Sequence, residues 1–209
     1  MKKLLLIGLG ACAALCCSPR LEAQRAALRT NALALATGNL NLEASHMIGQ
    51  RWTAHLMLQA KPFSYPLPVP IGLVRWAEGL DQGTSRLFEF GTIKHTEHYT
   101  IEPSLRYWMS GAYNRGLFFG LQATGSLFSY GGDKYSANYR KGWGAGAGLS
   151  IGYSRELSSR FNIEFELGVG AMYRSYQMVD GESGYVWDER HTDIVPTFSR
   201  LGVSLVYTL

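Results

Sequence analysis

The sequence contains little cysteine, and this shortage is its most informative feature. The 209 residues contain three cysteines, Cys12, Cys16 and Cys17, and all of them lie in the first 23 positions. Residues 1–23 combine a basic start with a short apolar run, which is typical of a secretory signal. We therefore predict a signal peptide at 1–23, cleavage before Gln24, and one mature domain at 24–209. A mature chain without cysteine excludes a disulfide framework and a thiolate metal site.

The sequence also lacks long apolar runs and a strong charge of one sign. After the predicted signal, no stretch approaches the roughly 18 apolar residues of a spanning helix. The whole chain carries a formal charge of +4. Residues 1–23 contribute three basic and one acidic side chain, which leaves +2 on 24–209. We therefore expect no membrane-spanning helix and no nucleic-acid partner. The motif "LGAC", ending at Cys12, leaves lipidation open as an alternative.

What the sequence has instead is alternation with a period of two, which predicts strands. Eight strands follow from it, at about 28–36, 39–47, 51–60, 95–109, 117–130, 143–156, 161–173 and from 194 to the C-terminus. Residues 61–94 break the pattern with "PLPVP" and scattered charges, so we expect a long excursion of unassigned role there. We expect longer loops at 131–142 and 180–193, and a turn at 110–116.

The sixth predicted strand indicates which side of each strand faces a narrow interior. One face carries aromatic and aliphatic side chains, whereas the other carries only glycine and serine: Gly144, Gly146, Gly148, Ser150, Gly152 and Ser154. A row of such residues weakens a strand in water, but it suits a lumen in which opposite walls approach closely. This pattern favours an all-β fold, and specifically an eight-stranded antiparallel up-and-down β-barrel that spans a membrane (a transmembrane β-barrel). A soluble, lipocalin-like barrel is the alternative.

Aromatic residues supply a second argument for a bilayer. Eight of them fall on apolar strand faces near strand ends and form two predicted belts: Trp52, Tyr107, Tyr153, Phe161 and Tyr207 at one end, and Tyr99, Trp143 and Tyr173 at the other. Rings of this kind favour the headgroup region of a membrane. The longer loops then lie outside and the short turns lie in the periplasm, which predicts an outer-membrane protein in contact with membrane lipid and lipopolysaccharide.

Charged residues on the opposite faces predict the content of the lumen. We expect Glu43, Glu102, Arg106, Glu164, Glu166, Arg174 and Arg200 to form an ion-pair network there. Paired carboxylates could also do acid–base work. Unpaired charges in a dry lumen would be costly, however, so we favour a structural plug. We assign no catalytic, metal or cofactor-binding residue and no cofactor.

Three weaker patterns leave alternatives open. His95 and His98 lie three residues apart, but a strand would point them to opposite faces, which disfavours a shared metal. His98, Ser129 and Glu97 could together serve a lipid-modifying enzyme, although no nucleophile motif is present. The stretch "YVWDERHTD", 185–193, combines aromatics with charges in an expected external loop and could contact a protein or a glycan.

The C-terminal stretch "RLGVSLVYTL" resembles the signal that the outer-membrane assembly machinery reads. Three further stretches, "RTNALALATGNLNLE", "EPSLRYW" and "GWGAGAGLSIGY", resemble an uncharacterised domain-of-unknown-function family of small outer-membrane β-barrels that accompany fimbrial gene sets. This resemblance implies the location and the fold but no activity. We expect a non-enzymatic outer-membrane barrel with a plugged lumen, whose loops meet a fimbrial or other cell-surface protein. A barrel enzyme that modifies lipid A or phospholipid, and a narrow pore, remain alternatives.

Overall fold

A computed structural model describes residues 25–64, 67–69, 71 and 88–209. The predicted signal peptide and much of the 61–94 excursion lie outside these residues. The elements are β1 (Ala26–Asn31), α1 (Ala32–Ala36), β2 (Leu40–Met47), β3 (Trp52–Lys61), β4 (Leu67–Val69), β5 (Gly91–Ile93), β6 (His95–Trp108), β7 (Gly116–Gly131), β8 (Tyr139–Glu156), β9 (Phe161–Val179) and β10 (Val186–Thr208).

Eight of the strands form a closed barrel in the order β1-β10-β9-β8-β7-β6-β3-β2, and β4 and β5 form a separate two-stranded sheet. Every neighbouring pair in the barrel is antiparallel, and β1 closes the ring by pairing with β10. The predicted eight-stranded antiparallel up-and-down architecture is therefore confirmed. No helix in the described part of the chain is long and apolar enough to cross a membrane.

The barrel wall is much taller on one side than on the other. β8, β9 and β10 contain 18, 19 and 23 residues, whereas β1 contains six and β2 eight. The prediction that 180–193 is a loop was therefore largely wrong. Only 180–185 forms the turn, and β10 begins at Val186 because its backbone pairs with β9 beyond the height of the other strands. In the same way, β8 begins at Tyr139, so the loop predicted at 131–142 is shorter.

The first predicted strand, 28–36, was too long because its second half is the short helix α1. The side chain of Asn31 caps this helix, since its Oδ1 accepts hydrogen bonds from the backbone N–H groups of Leu33 (3.0 Å) and Ala34 (3.3 Å). The stretch "ALALA" alternates in size, but both of its residue types are strong helix formers. The Asn31 Nδ2 atom also donates to the Leu201 carbonyl (3.1 Å), which fastens α1 to β10.

The distribution of side chains between interior and surface is the reverse of that in a soluble protein. Among the described residues, the buried side chains comprise 20 polar or charged ones and seven apolar ones. Large apolar side chains such as Leu121, Phe165 and Leu201 are about half exposed on the outer wall. The lumen is thus the polar side of every strand, as the glycine and serine face of β8 predicted.

Candidate functional site

The candidate functional site is a cluster of buried charges in the middle of the lumen, which we call the lumen cluster. Its members are strand residues whose side chains point inward: Arg29, Glu43, His55, Glu102, Arg106, Glu164, Glu166 and Arg200. Seven of them are buried, and the side chain of Glu166 is only 8% exposed. Six of the eight barrel strands contribute to it, because adjacent inward positions from opposite walls converge in so narrow a barrel.

Arg106 on β6 joins the two glutamates of β9. Its Nη1 atom donates to Glu164 Oε1 and its Nη2 atom to Glu166 Oε2, each over 2.6 Å. The Arg106 guanidinium also lies 4.5 Å from the ring centroid of Phe118. One arginine thus bridges two carboxylates across the lumen and rests on an aromatic face, a geometry that suits a planar guanidinium.

Arg200 on β10 links the glutamates of three different strands. Its Nε atom lies 2.5 Å from Glu102 Oε1, and its Nη1 atom lies 2.6 Å from Glu43 Oε2 and 3.2 Å from Glu166 Oε2. The hydroxyl of Ser150 donates a further hydrogen bond to Glu166 Oε1 (2.7 Å). The acidic side chains of β2, β6 and β9 therefore share one cation.

The third part of the cluster is built around His55. Its Nδ1 atom lies 2.6 Å from Glu43 Oε1 and 2.5 Å from Arg29 Nη1, so the three side chains form one tight triangle. The other ring nitrogen of His55 lies 2.6 Å from Thr53 Oγ1, which in turn accepts a hydrogen bond from the indole N–H of Trp108 (3.0 Å). A continuous hydrogen-bonded chain therefore runs from the carboxylate of Glu43 to Trp108.

The turn between β6 and β7, residues 109–115, folds back into the lumen and closes one end of the barrel. Asn114 adopts a positive φ of 56° and is buried. Its Oδ1 accepts from Arg29 Nη2 (2.7 Å), and its carbonyl accepts from the hydroxyl of Ser154 (2.7 Å). The hydroxyl of Tyr113 lies 2.8 Å from Ser45 Oγ, and burial raises the pKa of Tyr113. This end is therefore sealed by the uncharged, hydrogen-bonded side chains of Tyr113 and Asn114.

On the other side of the lumen cluster the interior is partly hollow. A cavity of about 320 Å³ lies between α1 and β10, and its lining includes Arg29, Glu43, Glu166 and Arg200 of the cluster. A second cavity of about 220 Å³ is bordered by β3 and by β6 to β10. The two share residues such as Gln59. The lumen therefore opens toward the end that carries the longer loops and is filled at the opposite end.

The arrangement of the cluster suits a structural role better than acid–base chemistry. Each of its four carboxylates lies within 4.0 Å of at least one guanidinium nitrogen. Such carboxylates are stabilised as acceptors and are not free to exchange protons with a substrate. What the geometry does is connect opposite walls, because every cation bridges strands that are not neighbours in the ring.

Seven residues were predicted to form this network, and the structure brings six of them together. Arg174 lies apart, near the long-loop end, where its Nε and Nη2 atoms lie 2.8 Å and 2.6 Å from the carboxylate oxygens of Asp193. This pair was not predicted, because Asp193 was expected to lie in a loop. Arg29 and His55 were not predicted as members, although both occupy inward positions by alternation. Asn114 could not be predicted from any sequence pattern, because its burial depends on how the turn folds.

The eight aromatic residues proposed for the two belts all lie on the outer wall. Six of them, Trp52, Tyr99, Trp143, Tyr153, Phe161 and Tyr173, are 42–54% exposed. Three contacts join them in pairs across neighbouring strands, with ring centroids 5.2–5.8 Å apart: Trp52–Tyr107, Phe161–Tyr207 and Trp143–Tyr173. These pairs fall at the two ends of the apolar wall.

The weaker alternatives do not assemble into sites. The His95 ring stacks on Tyr139 at 4.0 Å, whereas the His98 ring lies 3.0 Å from Gln59 Nε2, on the lumen side. Glu97 and Ser129 are register partners and share the opposite face from His98, so the three groups do not converge. In the described parts of the chain, no group of three or more potential ligand side chains is placed to hold a metal ion.

Comparison with known proteins identifies the family of this chain. The model of a family described as "Protein of unknown function (DUF3575)" matches residues 9–209. No curated protein and no solved structure matches the chain.

Proposed function

The chain belongs to the DUF3575 family of unknown function, and we propose that it is a non-enzymatic β-barrel of the Gram-negative outer membrane. In this proposal the residues before Gln24 are an export signal, and the C-terminal strand is read by the outer-membrane assembly machinery. The end of the barrel that carries the longer loops faces outward from the cell.

The observation that carries the proposal is the apolar outer wall. Side chains such as Ile151, Phe165 and Leu205 are 44–50% exposed and surround a polar lumen. Monomeric soluble proteins rarely expose an apolar area of this extent. In a bilayer the same wall is favourable, and rings such as Trp52 and Trp143 lie at its two ends, where headgroups would be.

The lumen cluster supports a plugged barrel over a pore. Arg106 and Arg200 cross the lumen at the level of Glu43 and Glu166, and Asn114 seals the end below them. An ion would have to break several charge-assisted hydrogen bonds to pass. The part of the protein available for function is then its outer end, where strands β8 to β10 extend beyond the belt residue Tyr173.

We further propose that this outer end contacts a cell-surface protein, with a fimbrial subunit as the first candidate. Tyr185 and Trp187 are exposed there, next to charged side chains. A photo-crosslinking residue at Trp187 should capture the partner on intact cells, whereas the same residue at Tyr153, at the opposite end of the barrel, should not. Equal capture at both positions would contradict the proposal.

The barrel itself is tested by fractionation and electrophoresis. We expect the protein in the outer-membrane fraction, with a gel mobility in detergent that changes on boiling. A soluble protein without heat-modifiable mobility would overturn the membrane assignment.

The plug is tested in planar bilayers. The unmodified protein should not conduct. The double substitution Glu164→Gln and Glu166→Gln should open a leak or lower the thermal stability, because Arg106 then loses two of its three charged partners and keeps only Glu43, at 3.4 Å. Glu97→Gln, outside the lumen cluster, is the matched control and should do neither. A double variant that is as stable as the parent and equally non-conducting would refute the proposal that the ion pairs plug the lumen.

A further inference from the structure

The outer wall contains one concave area that is distinct from the rest of the apolar surface. It is a groove of about 860 Å³, lined largely by apolar side chains of β2, β3, β6, β7 and β8. Its floor is formed at Gly125 and Ala145, which are register partners on β7 and β8. A methyl group added at Gly125 would lie 3.5 Å from Ile101 Cγ2, in ordinary contact, so the absence of side chains there leaves the depression open.

The walls of the groove are bulky apolar and aromatic side chains. Leu58 and Ile101, register partners on β3 and β6, form one side. Leu127 and Trp143, register partners on β7 and β8, stand on the side toward the long loops. All four are apolar at the points where they line the groove, and all but Trp143 are at least half exposed. A flexible hydrocarbon chain fits such a surface, because it can follow a curved floor without needing hydrogen bonds.

A cation lies directly above the groove on the same face of β8. Lys141 precedes Trp143 by two residues, so alternation places both side chains on the outer wall. Lys141 is exposed, and its register partner on β7 is Ser129. Four residues at about 3.3 Å each place Lys141 about 13 Å along the strand from Ala145. Glu97 lies on the same outer face, two strands away in register, and accepts a hydrogen bond from Ser64 (3.2 Å).

We propose that this groove holds one acyl chain of lipid A and that Lys141, with the hydroxyl of Ser129, binds a lipid A phosphate. The inference rests on the proposed function, since it takes the long-loop end to face outward. The groove lies near that end, at the height of the belt residues Tyr99 and Trp143. It therefore faces the outer leaflet, where lipid A is the anionic lipid. An ammonium at the headgroup level contributes to binding an anionic lipid surface, and an apolar groove holds the chain beneath it.

The test is native mass spectrometry of the protein released from outer membranes in mild detergent. The parent should retain one lipid A molecule through detergent exchange. Gly125→Leu, which fills the groove, should abolish this retention. Lys141→Gln should weaken retention about fivefold, as expected for the loss of about 1 kcal/mol of headgroup attraction.

Two control variants carry the same chemical changes outside the groove. Ala123→Leu enlarges an exposed position of β7 that does not line the groove, and Arg155→Gln removes an exposed charge at the opposite end of β8. Both should retain lipid A like the parent. The inference is overturned if Gly125→Leu retains lipid A, if the controls lose it equally, or if phospholipid is retained in its place. Fractionation and heat-modifiable mobility separate the two proposals: a correctly inserted barrel with unchanged lipid retention refutes only the groove.

Discussion

At the scale of single residues, the packing of the lumen depends on the positions of its glycines. Gly152 on β8 faces the ring of Phe118, and a methyl group at Gly152 would collide with that ring. Phe118 in turn packs against Trp108, with ring centroids 4.8 Å apart, and supports the guanidinium of Arg106. The glycine on β8 therefore leaves room for the aromatic side chain of its register partner on β7 to reach the lumen cluster.

We expect Gly152→Ala to lower the free energy of unfolding by about 1–3 kcal/mol, because Phe118 must leave its position in a packed interior. Denaturant titration of the barrel in lipid vesicles would measure this loss. Gly125→Ala is the matched control, since its methyl group makes only ordinary contact on the outer wall. Equal stability of the two variants would show that the lumen is not closely packed at Gly152.

Arg200 offers the sharpest test of the charge balance. Its removal leaves Glu43, Glu102 and Glu166 without their shared cation. We expect Arg200→Met to cost about 3–5 kcal/mol, the usual penalty for breaking a buried ion pair on one side. Arg174→Met is the control: its partner Asp193 is about one-third exposed, so a much smaller loss is expected from the same titration.

At the scale of elements, backbone pairing alone extends the wall beyond the apolar pattern. β9 and β10 continue past the belt residue Tyr173 through residues with mixed charges, and their connection at 180–185 is short. The carboxylate of Asp180 accepts hydrogen bonds from the backbone N–H groups of Glu182 (2.9 Å) and Ser183 (2.8 Å). The tip of this hairpin is thus ordered by one ionised side chain in a turn.

This turn should loosen in acid. The backbone N–H groups of Ser183 and Glu182 hold the pKa of Asp180 below its usual value. A lowered folded-state pKa means that the stabilisation is present above the unfolded pKa of about 3.9 and is lost as the pH falls through the lower folded value. The protection of the Glu182 and Ser183 amides against exchange, relative to their intrinsic rates at each pH, should therefore fall below about pH 4. Asp180→Asn, whose amide oxygen still accepts, should remove this pH dependence; persistence of the effect would assign it to another group.

At the scale of the whole molecule, the barrel has a polar inside and an apolar outside, and its ends differ. One end is closed by Tyr113 and Asn114 of the β6–β7 turn, whereas the other opens into two cavities, one of which lies beside α1. The polar interior of such a barrel is accessible from one end only. If the barrel lies in a membrane as proposed, any partner or ligand other than lipid is expected at that end.

The proposed insertion of the barrel in a bilayer predicts that the cost of a charge on the outer wall depends on its depth. Leu167 lies in the middle of the exposed apolar row of β9, and Phe161 lies at its end. We expect Leu167→Lys to destabilise the barrel in vesicles by about 2–4 kcal/mol and Phe161→Lys by at most about 1 kcal/mol, because a charge near the interface remains hydrated. Denaturant titration in vesicles distinguishes these values. A soluble barrel would tolerate both substitutions alike.

Much of the fold could be predicted from residue patterns because alternation is a local property. The period of two identified all eight barrel strands and the inward face of most of them, including Glu164 and Glu166 on β9. Strand ends were less accurate. The helix α1 depends on the cap at Asn31, and the extension of β10 depends on pairing with β9, which sequence spacing does not encode.

The sequence by itself determined that this chain forms strands with one apolar and one polar face, and hence a barrel with charges inside. Only the tertiary structure decided which charges meet. Arg174 has the same inward position as Arg106, yet it pairs with Asp193 near the open end, because height along the barrel depends on strand register and tilt. Arg29, His55 and Asn114 join the cluster for the same reason: closure of the ring brings β1, β3 and the β6–β7 turn to one level.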